Sequence, residues 1–384
     1  MYALTDCILH TGLQELIHHA ILIDGMHIVD VVPLAQLSVH STLETISMQG
    51  HHVAPGFIDL QLNGCGGVMF NDSTESTTLD TMHRTNLASG TTSFLPTLIT
   101  TSDDNMISAM ETVSVYRKHH EFRVLGLHLE GPYLNPKRKG IHDATFIRAP
   151  DRAMLDHIVN YGKETVRLLT LAPEMVAPDD IQLLVDQGIL VSAGHSDATF
   201  EQGLAGFNTG IRMATHLFNA MSPWLSRSPG MVGAVLSRDD VYAGIIADGE
   251  HVHFGSIQLV KTLKRDKLIL VTDATPPVGT HLDSFWIGGQ EVFYRDGRCV
   301  SKNGTLGGSA LTLIEAIANC VRHVNIPLSE ALRMASTYPA RLLGLDHQLG
   351  AIAPGYIANL AVFNDHLQIT GVIDQGRLLF RRKG

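Results

Sequence analysis

Residues 124–130 read VLGLHLE, an apolar run that ends on a glutamate. The same pattern recurs at residues 189–195 (ILVSAGH), 212–216 (RMATH) and 268–273 (LILVTD). Short apolar runs with branched side chains are typical of strands that are buried in a parallel sheet. In a barrel of alternating strands and helices, the C-terminal ends of the strands meet on one face. The pattern therefore predicts that the four side chains that end these runs converge.

The four converging side chains suit a catalytic metal site. They are Glu130, His195, His216 and Asp273. Two imidazoles and one carboxylate leave a coordination position open, as catalytic zinc requires. Zn²⁺ is therefore the favoured ion. The same ligands also suit Fe²⁺, Co²⁺ and Ni²⁺, so these alternatives stay open. Asp273 is then placed to take a proton from water that the metal activates, which indicates a metal-assisted hydrolase.

The middle of the chain predicts an α/β fold with eight strands. The candidate strands are residues 53–62, 91–98, 124–129, 166–171, 189–194, 212–216, 241–247 and 268–272. Amphipathic segments between them predict helices at residues 79–89, 103–119, 150–161, 178–187, 199–206 and 255–264, with further helices at 312–323 and 329–343. This alternation favours a (β/α)8 TIM-type barrel. A doubly wound open sheet is the alternative, although no G-x-G-x-x-G follows the first strand.

Both ends of the chain differ from this middle part. They consist of short alternating segments with turn signals such as Asp24-Gly25. We expect residues 1–52 and 350–384 to form one small β-sandwich domain built from both chain termini. Residues 53–349 then form the barrel domain.

Composition narrows the class of protein. The chain has 384 residues, 45% of them hydrophobic and 17% charged, which allows a large buried core. The formal net charge of −10 argues against a nucleic-acid partner. No apolar run reaches the roughly 18 residues that a membrane span needs. Four cysteines without a C-x-x-C pair, and an N-terminus without a secretory pattern, lead us to expect a cytoplasmic location.

Segments along nearly the whole chain resemble the amidohydrolase superfamily. They are residues 55–64, 95–102, 126–132, 171–175, 192–196, 215–221, 248–251, 271–274 and 303–309. The resemblance is strongest to deacetylases of phosphorylated amino sugars, and it implies hydrolysis of N-acetylglucosamine 6-phosphate to glucosamine 6-phosphate and acetate in amino-sugar catabolism. Two alternatives stay open. One is an amidohydrolase for N-acetylgalactosamine 6-phosphate or a cyclic amide, and the other is a metal-free binding protein.

One departure from the wider superfamily bears on the number of metal ions. Many members place H-x-H at the end of the first strand to hold a second ion, whereas this chain has Gln61-Leu62-Asn63. Amides are poor zinc ligands compared with imidazole. The fourth candidate strand, residues 166–171, contains no lysine that could bridge two ions. We therefore expect one divalent metal ion per subunit, held by Glu130, His195 and His216.

The resemblance also implies roles for residues outside this triad. Asp273 is the base and then the acid, and His142 helps to polarise the acetyl carbonyl. Substrate contacts are implied for Gln61, Ile141, Asn219, Ala220, Arg227, Asp248, His251, Leu306, Gly307 and Gly308.

The substrate is thus a small phosphorylated amino sugar, with Arg227 and His251 as the implied phosphate contacts. A guanidinium suits phosphate because it donates two parallel hydrogen bonds. Arg227 is implied to reach across a subunit interface, so a homodimer or homotetramer is expected. The basic cluster Lys137-Arg138-Lys139 lies in a candidate lid loop, where it either steers an anionic substrate or is simply solvated.

Overall fold

The structure, a computed structural model, describes residues 1–39 and 43–381. Its N-terminal strands belong to two sheets. They are β1 (Tyr2–Thr5), β2 (Ile8–His10), β3 (Glu15–Leu16), β4 (His19–Asp24), β5 (His27–Pro33), β6 (Glu44–Ser47) and β7 (His52–Pro55).

Strands and helices then alternate as predicted for a barrel. The elements are β8 (Phe57–Leu62), β9 (Gly64–Cys65), β10 (Val68–Met69), α1 (Ser76–Leu87), β11 (Thr91–Ile99), α2 (Asp103–His120), β12 (Leu127–Glu130), α3 (Arg152–Tyr161), β13 (Val166–Leu171), α4 (Pro178–Asp186), β14 (Leu190–Ala193), α5 (Phe200–Asn208), β15 (Met213–Ala214), α6 (Gly230–Leu236), β16 (Tyr242–Ile245), α7 (Phe254–Lys264) and β17 (Leu268–Leu270).

The remaining elements are a small sheet, a group of helices and a C-terminal set of strands. They are β18 (Ser284–Ile287), β19 (Gln290–Arg295), β20 (Arg298–Ser301), α8 (Leu313–His323), α9 (Leu328–Ala335), α10 (Thr337–Leu342), β21 (Leu360–Phe363), β22 (Ile369–Asp374) and β23 (Arg377–Arg381).

The predicted (β/α)8 TIM-type barrel is confirmed. Eight strands form one sheet in the order β17-β16-β15-β14-β13-β12-β11-β8. A parallel bridge between Leu62 and Ala274 joins β8 to the segment after β17 and closes the sheet. Every residue of β8, β11 and β13 is buried, as expected for strands that are covered on both faces.

Local signals account for where several helices begin. The hydroxyl of Ser102 accepts a hydrogen bond from the backbone N–H of Asn105 at the start of α2. Asp151 caps α3 in the same way, through the N–H of Met154. Both caps satisfy backbone donors that have no partner inside their helix. The predicted start of α2 at residue 103 is confirmed, and α3 begins at Arg152, two residues after the predicted start at residue 150.

Three sequence predictions need correction. The segment 53–62 forms two strands rather than one, because β7 pairs with β2 and β21 while β8 enters the barrel. The segment 329–343 forms two helices, α9 and α10, which meet at Ser336. Helix α6 was not predicted, since six of its seven residues are buried and it shows no polar face.

Contacts divide the chain into two compact units. One consists of residues 1–59, 86–93 and 313–384, and the other of residues 60–85 and 94–312. The domain boundaries that we predicted near residues 52 and 350 stay a prediction. No helix in residues 1–39 and 43–381 is both long enough and apolar enough to cross a membrane.

The terminal strands form a β-sandwich within the first unit. Its sheets have the orders β5-β4-β1-β6 and β23-β22-β21-β7-β2-β3. Side chains from both sheets share one apolar core, including Leu4 and Ile21 from the first sheet and Leu9, Val53 and Val362 from the second. This sandwich confirms the prediction that the two chain ends build a common β structure.

A buried histidine lies in the larger of these two sheets. His10 is 4% exposed and stacks with His52 and Phe363. Its Nε2 atom lies 2.9 Å from Nδ1 of His52. Burial, together with the neighbouring His52, lowers the pKa of His10 to about 4. The imidazole is therefore neutral in the folded protein at ordinary pH.

We expect the substitution His10→Gln to flatten the acid limb of the stability profile. The unfolded chain binds a proton at His10 near pH 6.5, whereas the folded chain binds it only near pH 4. Unfolding is thus favoured as the pH falls from about 6.5 to about 4, at a cost on the order of 1–3 kcal/mol. Urea denaturation of both proteins at pH 7 and pH 4.5 measures this. Equal losses of stability in both proteins would contradict the assignment to His10.

Candidate active site

The barrel brings together the four residues at the predicted strand ends. Glu130 is the last residue of β12, while His195, His216 and Asp273 follow β14, β15 and β17 within three residues. The last three have positive φ angles of 47°, 31° and 53°. Left-handed backbone is uncommon for residues with a side chain and is concentrated at functional sites. At each of these residues the chain leaves the regular strand conformation, and this change of backbone direction sets the orientation of the side chain.

Glu130, His195 and His216 form a compact buried triad. Oε1 of Glu130 lies 3.0 Å from Nε2 of His195 and 3.0 Å from Nε2 of His216. The two Nε2 atoms are 3.1 Å apart, and the ligand atoms of the triad all lie within 4.8 Å of one another. The donor set is that of a catalytic site with three protein ligands.

The hydrogen bonds around the triad test whether it fits a metal ion. Nδ1 of His195 lies 2.8 Å from the carbonyl oxygen of Arg138, so Nδ1 carries the proton and Nε2 presents a lone pair. Two imidazole nitrogens and a carboxylate oxygen then face the same small volume. A cation would satisfy all three groups at once. The residues therefore fit a divalent metal ion.

Charge within the triad follows from its contacts. Burial acts to raise the pKa of Glu130, but hydrogen bonds to His195 and His216 outweigh it and hold this pKa well below its usual range. Burial acts to lower the pKa of His216, but the carboxylate of Glu130 outweighs it and raises this pKa. The carboxylate of Glu130 thus favours the protonated form of His216. A metal ion would compete with that proton for the imidazole nitrogen.

Two side-chain amides contact Asp273, and one of them also contacts Glu130 of the triad. Its Oδ1 atom accepts from Nδ2 of Asn63 at 2.6 Å and from Nε2 of Gln61 at 3.2 Å. The same Gln61 nitrogen lies 3.3 Å from Oε2 of Glu130. Burial and the nearby charge of Glu130 raise the pKa of Asp273. The carboxylate is thus oriented by donors and poised to accept a proton.

His142 is buried beside the triad rather than exposed on a loop. Its exposed fraction is 2%, and its Nε2 atom lies 3.9 Å from Oε1 of Glu130. Nδ1 lies 2.8 Å from the hydroxyl of Thr100. Burial and the neighbouring His195 lower the pKa of His142 well below its usual range. A neutral imidazole is therefore available beside the carboxylate.

These groups line one cavity of about 390 Å³. The predicted residues on its wall are Glu130, Ile141, His142, His195, His216, Asn219, Ala220, His251, Asp273, Leu306 and Gly308. The basic residues Lys137 and Arg138 also line it. The cavity thus combines the metal triad, a carboxylate and several cationic or neutral nitrogen groups.

Four predicted site residues lie outside the wall of this cavity. Gln61 lies behind the wall and contacts the carboxylates of Glu130 and Asp273. Asp248 holds His251, whose Nδ1 lies 2.6 Å from Asp248 Oδ2. Gly307 packs so closely that a Cβ atom would lie 2.9 Å from Val292. Arg227 is exposed and does not reach the cavity of its own chain.

Sequence reasoning missed three residues that support the site. Asn63 donates to Asp273, and its position two residues after Gln61 on the same strand exit was the available signal. Thr100 contacts His142. Glu174 accepts from the backbone N–H of Asp197 at 2.7 Å. Thr100 and Glu174 follow the ends of β11 and β13, within segments 95–102 and 171–175 that carry the resemblance, but their partners depend on loop packing.

Comparison with known proteins agrees with this geometry. Residues 52–379 match the model of the amidohydrolase family, and residues 1–53 match the NagA composite domain. The N-acetylglucosamine-6-phosphate deacetylase of Haemophilus influenzae is 45% identical over 98% of both chains. The N-acetylgalactosamine-6-phosphate deacetylase of a Shewanella species is 36% identical over 85% of this chain and 82% of its own. A crystal structure of the N-acetylglucosamine-6-phosphate deacetylase from Pasteurella multocida is 44% identical, with a TM-score of 0.96 over 99% of this chain and all of the other. The chain therefore belongs to the amidohydrolase family.

Proposed function

We propose that this protein is a metal-dependent deacetylase that hydrolyses N-acetylglucosamine 6-phosphate to glucosamine 6-phosphate and acetate. The observation that carries the proposal is the convergence of Glu130, His195 and His216 with Asp273 in one cavity. The Haemophilus relative, similar over 98% of the chain, gives the substrate. The reaction belongs to the breakdown and recycling of amino sugars.

The metal site is proposed to hold one divalent ion. Glu130, His195 and His216 would hold it, and such an ion lowers the pKa of water and polarises a carbonyl group. The amide nitrogen of Gln61 points at both carboxylates and offers donors rather than lone pairs. This arrangement supports a single ion. Zn²⁺ is the proposed ion, and Fe²⁺, Co²⁺ and Ni²⁺ suit the same ligands.

Asp273 moves the proton in the proposed reaction. Its carboxylate accepts a proton from the attacking water and later transfers it to the departing amine. The donors Asn63 and Gln61 both contact Oδ1, so Oδ2 is the oxygen that receives the proton. A raised pKa, caused by burial and Glu130, suits a group that must hold that proton until the amine leaves.

His142 assists by donating a hydrogen bond to the acetyl carbonyl. This role requires that the hydroxyl of Thr100 donates to Nδ1, at 2.8 Å, instead of to the carbonyl oxygen of Glu130, at 3.2 Å, so that Nε2 carries the proton. The neutral state that burial imposes on His142 fits a donor of this kind. A donor aimed at the developing oxyanion stabilises the transition state more than the ground state.

The other side of the cavity suits the sugar and its phosphate. His251 lines the cavity and is oriented by Asp248. Asn219, Ala220, Ile141 and the segment 306–308 are proposed to contact the sugar. Lys137 adds positive charge to the wall, which favours an anionic substrate.

Acetate release tests this function. The purified protein is given N-acetylglucosamine 6-phosphate, the unphosphorylated sugar or N-acetylgalactosamine 6-phosphate, each before and after chelation. Chelator-sensitive release from N-acetylglucosamine 6-phosphate alone supports the proposal. Preference for the galactosamine epimer would instead favour the activity of the Shewanella relative. A protein with no bound metal would favour a binding function.

We propose that the protein forms a homodimer or a homotetramer, because the structure exposes apolar side chains near Arg227. Trp224 and Leu225 are 56% and 57% exposed, and Leu259 on α7 is 70% exposed. Contiguous exposed apolar side chains mark association surfaces. Arg227 lies on the same exposed loop. We propose that a second copy covers this surface and that its Arg227 contacts the phosphate in the first cavity, as the resemblance implies.

We expect Arg227→Ala to lower kcat/KM by about 10- to 100-fold, because a hydrogen-bonded ion pair with phosphate is lost. Co-expression with Asp273→Asn chains tests whether Arg227 acts across the interface. A mixed dimer then contains one cavity with both intact residues, so about one quarter of all sites regain activity. No recovery would place Arg227 in the cavity of its own chain.

A cytoplasmic location is proposed from the state of the cysteines. Cys7, Cys65, Cys299 and Cys320 are buried and are not joined in disulfide bonds. Unpaired cysteines are typical of proteins in reducing compartments.

A further inference from the structure

The backbone of the lid loop, residues 135–140, contacts one of the proposed metal ligands twice. The N–H of Asn135 donates to the carbonyl oxygen of His195 at 2.9 Å. Nδ1 of His195 lies 2.8 Å from the carbonyl oxygen of Arg138. Because a carbonyl can only accept, this contact fixes the tautomer that leaves Nε2 free for the metal. The lid loop therefore orients a metal ligand and also lines the cavity.

Two carboxylates hold the lid loop in this position. Nε of Arg138 donates to Oδ1 of Asp197 at 2.8 Å. Oε1 of Glu174 accepts from Nδ2 of Asn135 at 2.9 Å and from the N–H of Asp197 at 2.7 Å. Oε2 of Glu174 accepts from Ser196 at 2.7 Å. We call Arg138, Glu174 and Asp197 the lid anchor.

We propose that the lid anchor consists of positioning residues for the metal centre. These residues act through the Arg138 carbonyl, which holds the His195 ring in the tautomer and orientation that the metal needs. Metal affinity and the placement of the lid loop are therefore coupled. The inference rests on the metal site of the proposed function, but not on the identity of the substrate.

The coupling is reciprocal. Lys137, Arg138 and Gly140 of the lid loop line the cavity. A molecule that binds in the cavity and holds the lid loop in place would strengthen metal binding, and the metal would strengthen binding of that molecule by the same factor. Substrate access and metal retention thus depend on the same contacts.

Zinc titration of the metal-free protein tests the proposal without a substrate. We expect Asp197→Ala to raise the Kd for Zn²⁺ by about 10-fold, the lower end of the range for residues that support metal ligands. Arg138→Gln removes the other partner but keeps the backbone carbonyl, and we expect a similar loss. The double variant should bind Zn²⁺ as each single variant does, because both changes break the same contact.

The matched control is Asp156→Ala. Asp156 pairs with Arg152 on α3 at 2.9 Å, and both side chains are more than half exposed. This variant should bind Zn²⁺ as the wild type does, and all metal-free variants should remain folded at the temperature of the titration. Equal Zn²⁺ affinity of Asp197→Ala and wild type, additive losses in the double variant, or a loss in the control would overturn the proposal.

Zn²⁺ binding by the wild-type protein distinguishes a failure of the lid-anchor proposal from a failure of the proposed function. A wild-type protein that binds no metal overturns both proposals. Tight metal binding by the wild type, with no loss in Asp197→Ala, overturns the role of the lid anchor alone. Loss of Zn²⁺ affinity in Asp197→Ala, in a protein that releases no acetate, supports the lid anchor and overturns the substrate.

Discussion

Asp273→Asn is expected to lower kcat by about 10²- to 10⁴-fold, the range that general acid–base groups contribute. The substitution keeps the size of the side chain but removes the group that accepts a proton. Asn63 and Gln61 donate to Asp273, so they can still hold an amide oxygen in the same place. The measurement is steady-state acetate release from N-acetylglucosamine 6-phosphate, with elemental analysis of the metal in each protein.

Metal content distinguishes the role of Asp273 from that of a ligand. We expect Asp273→Asn to keep its metal, because the proposed ligands are Glu130, His195 and His216. The matched control is Asp186→Asn on α4, an exposed carboxylate that accepts from Gln182. Turnover near that of the wild type with full metal content would assign the proton transfer to another group. Loss of the metal would assign Asp273 to the ligands.

The convergence of these four residues could be predicted from the sequence, because residues at the C-terminal ends of barrel strands lie on the same face. Each of the four residues follows a buried apolar run, and parallel strands deliver their C-terminal ends to one face. Glu130 and Asp273 are far apart along the chain, yet Gln61 contacts both. Hydrophobic pattern and chemical type were sufficient for this part.

Strand boundaries were less predictable, because they depend on contacts with distant segments. Residues 53–62 were predicted to form one strand, but the chain passes between two sheets at Gly56. A Cβ atom there would lie 2.2 Å from the hydroxyl oxygen of Thr92, so only glycine fits this close approach. The contact with Thr92 lies outside the pattern of residues 53–62, but the Pro55-Gly56 step within it is a turn signal that could have indicated the break.

The supporting residues of the site were the least predictable. The left-handed backbone of His195, His216 and Asp273 has no signature in the sequence, because side chains with a Cβ rarely adopt it. Surrounding contacts must impose it, such as the hydrogen bond from the N–H of Asp273 to the carbonyl oxygen of Gln61. Contacts with distant segments therefore determine how the side chains of His195, His216 and Asp273 are oriented.

Glu130→Gln is expected to remove the metal almost completely. The carboxylate is the only anionic ligand of the triad, and the amide that replaces it is a poor zinc ligand. We expect the Kd for Zn²⁺ to rise by at least about 100-fold, beyond the loss for outer-shell partners, and acetate release to fall with it. Equilibrium dialysis and elemental analysis measure the bound metal.

Thermal melting gives a second measure that does not depend on activity. A ligand that binds the folded state stabilises it in proportion to the logarithm of its concentration over its Kd. Added Zn²⁺ should therefore raise the Tm of the metal-free wild type and of the exposed control Glu201→Gln, but not that of Glu130→Gln. The carboxylate of Glu130 raises the pKa of His216, so we expect this pKa to fall in Glu130→Gln. An equal rise of Tm in Glu130→Gln would mean that the two histidines hold the ion without the carboxylate, and that the triad is not the metal site that the fold assembles.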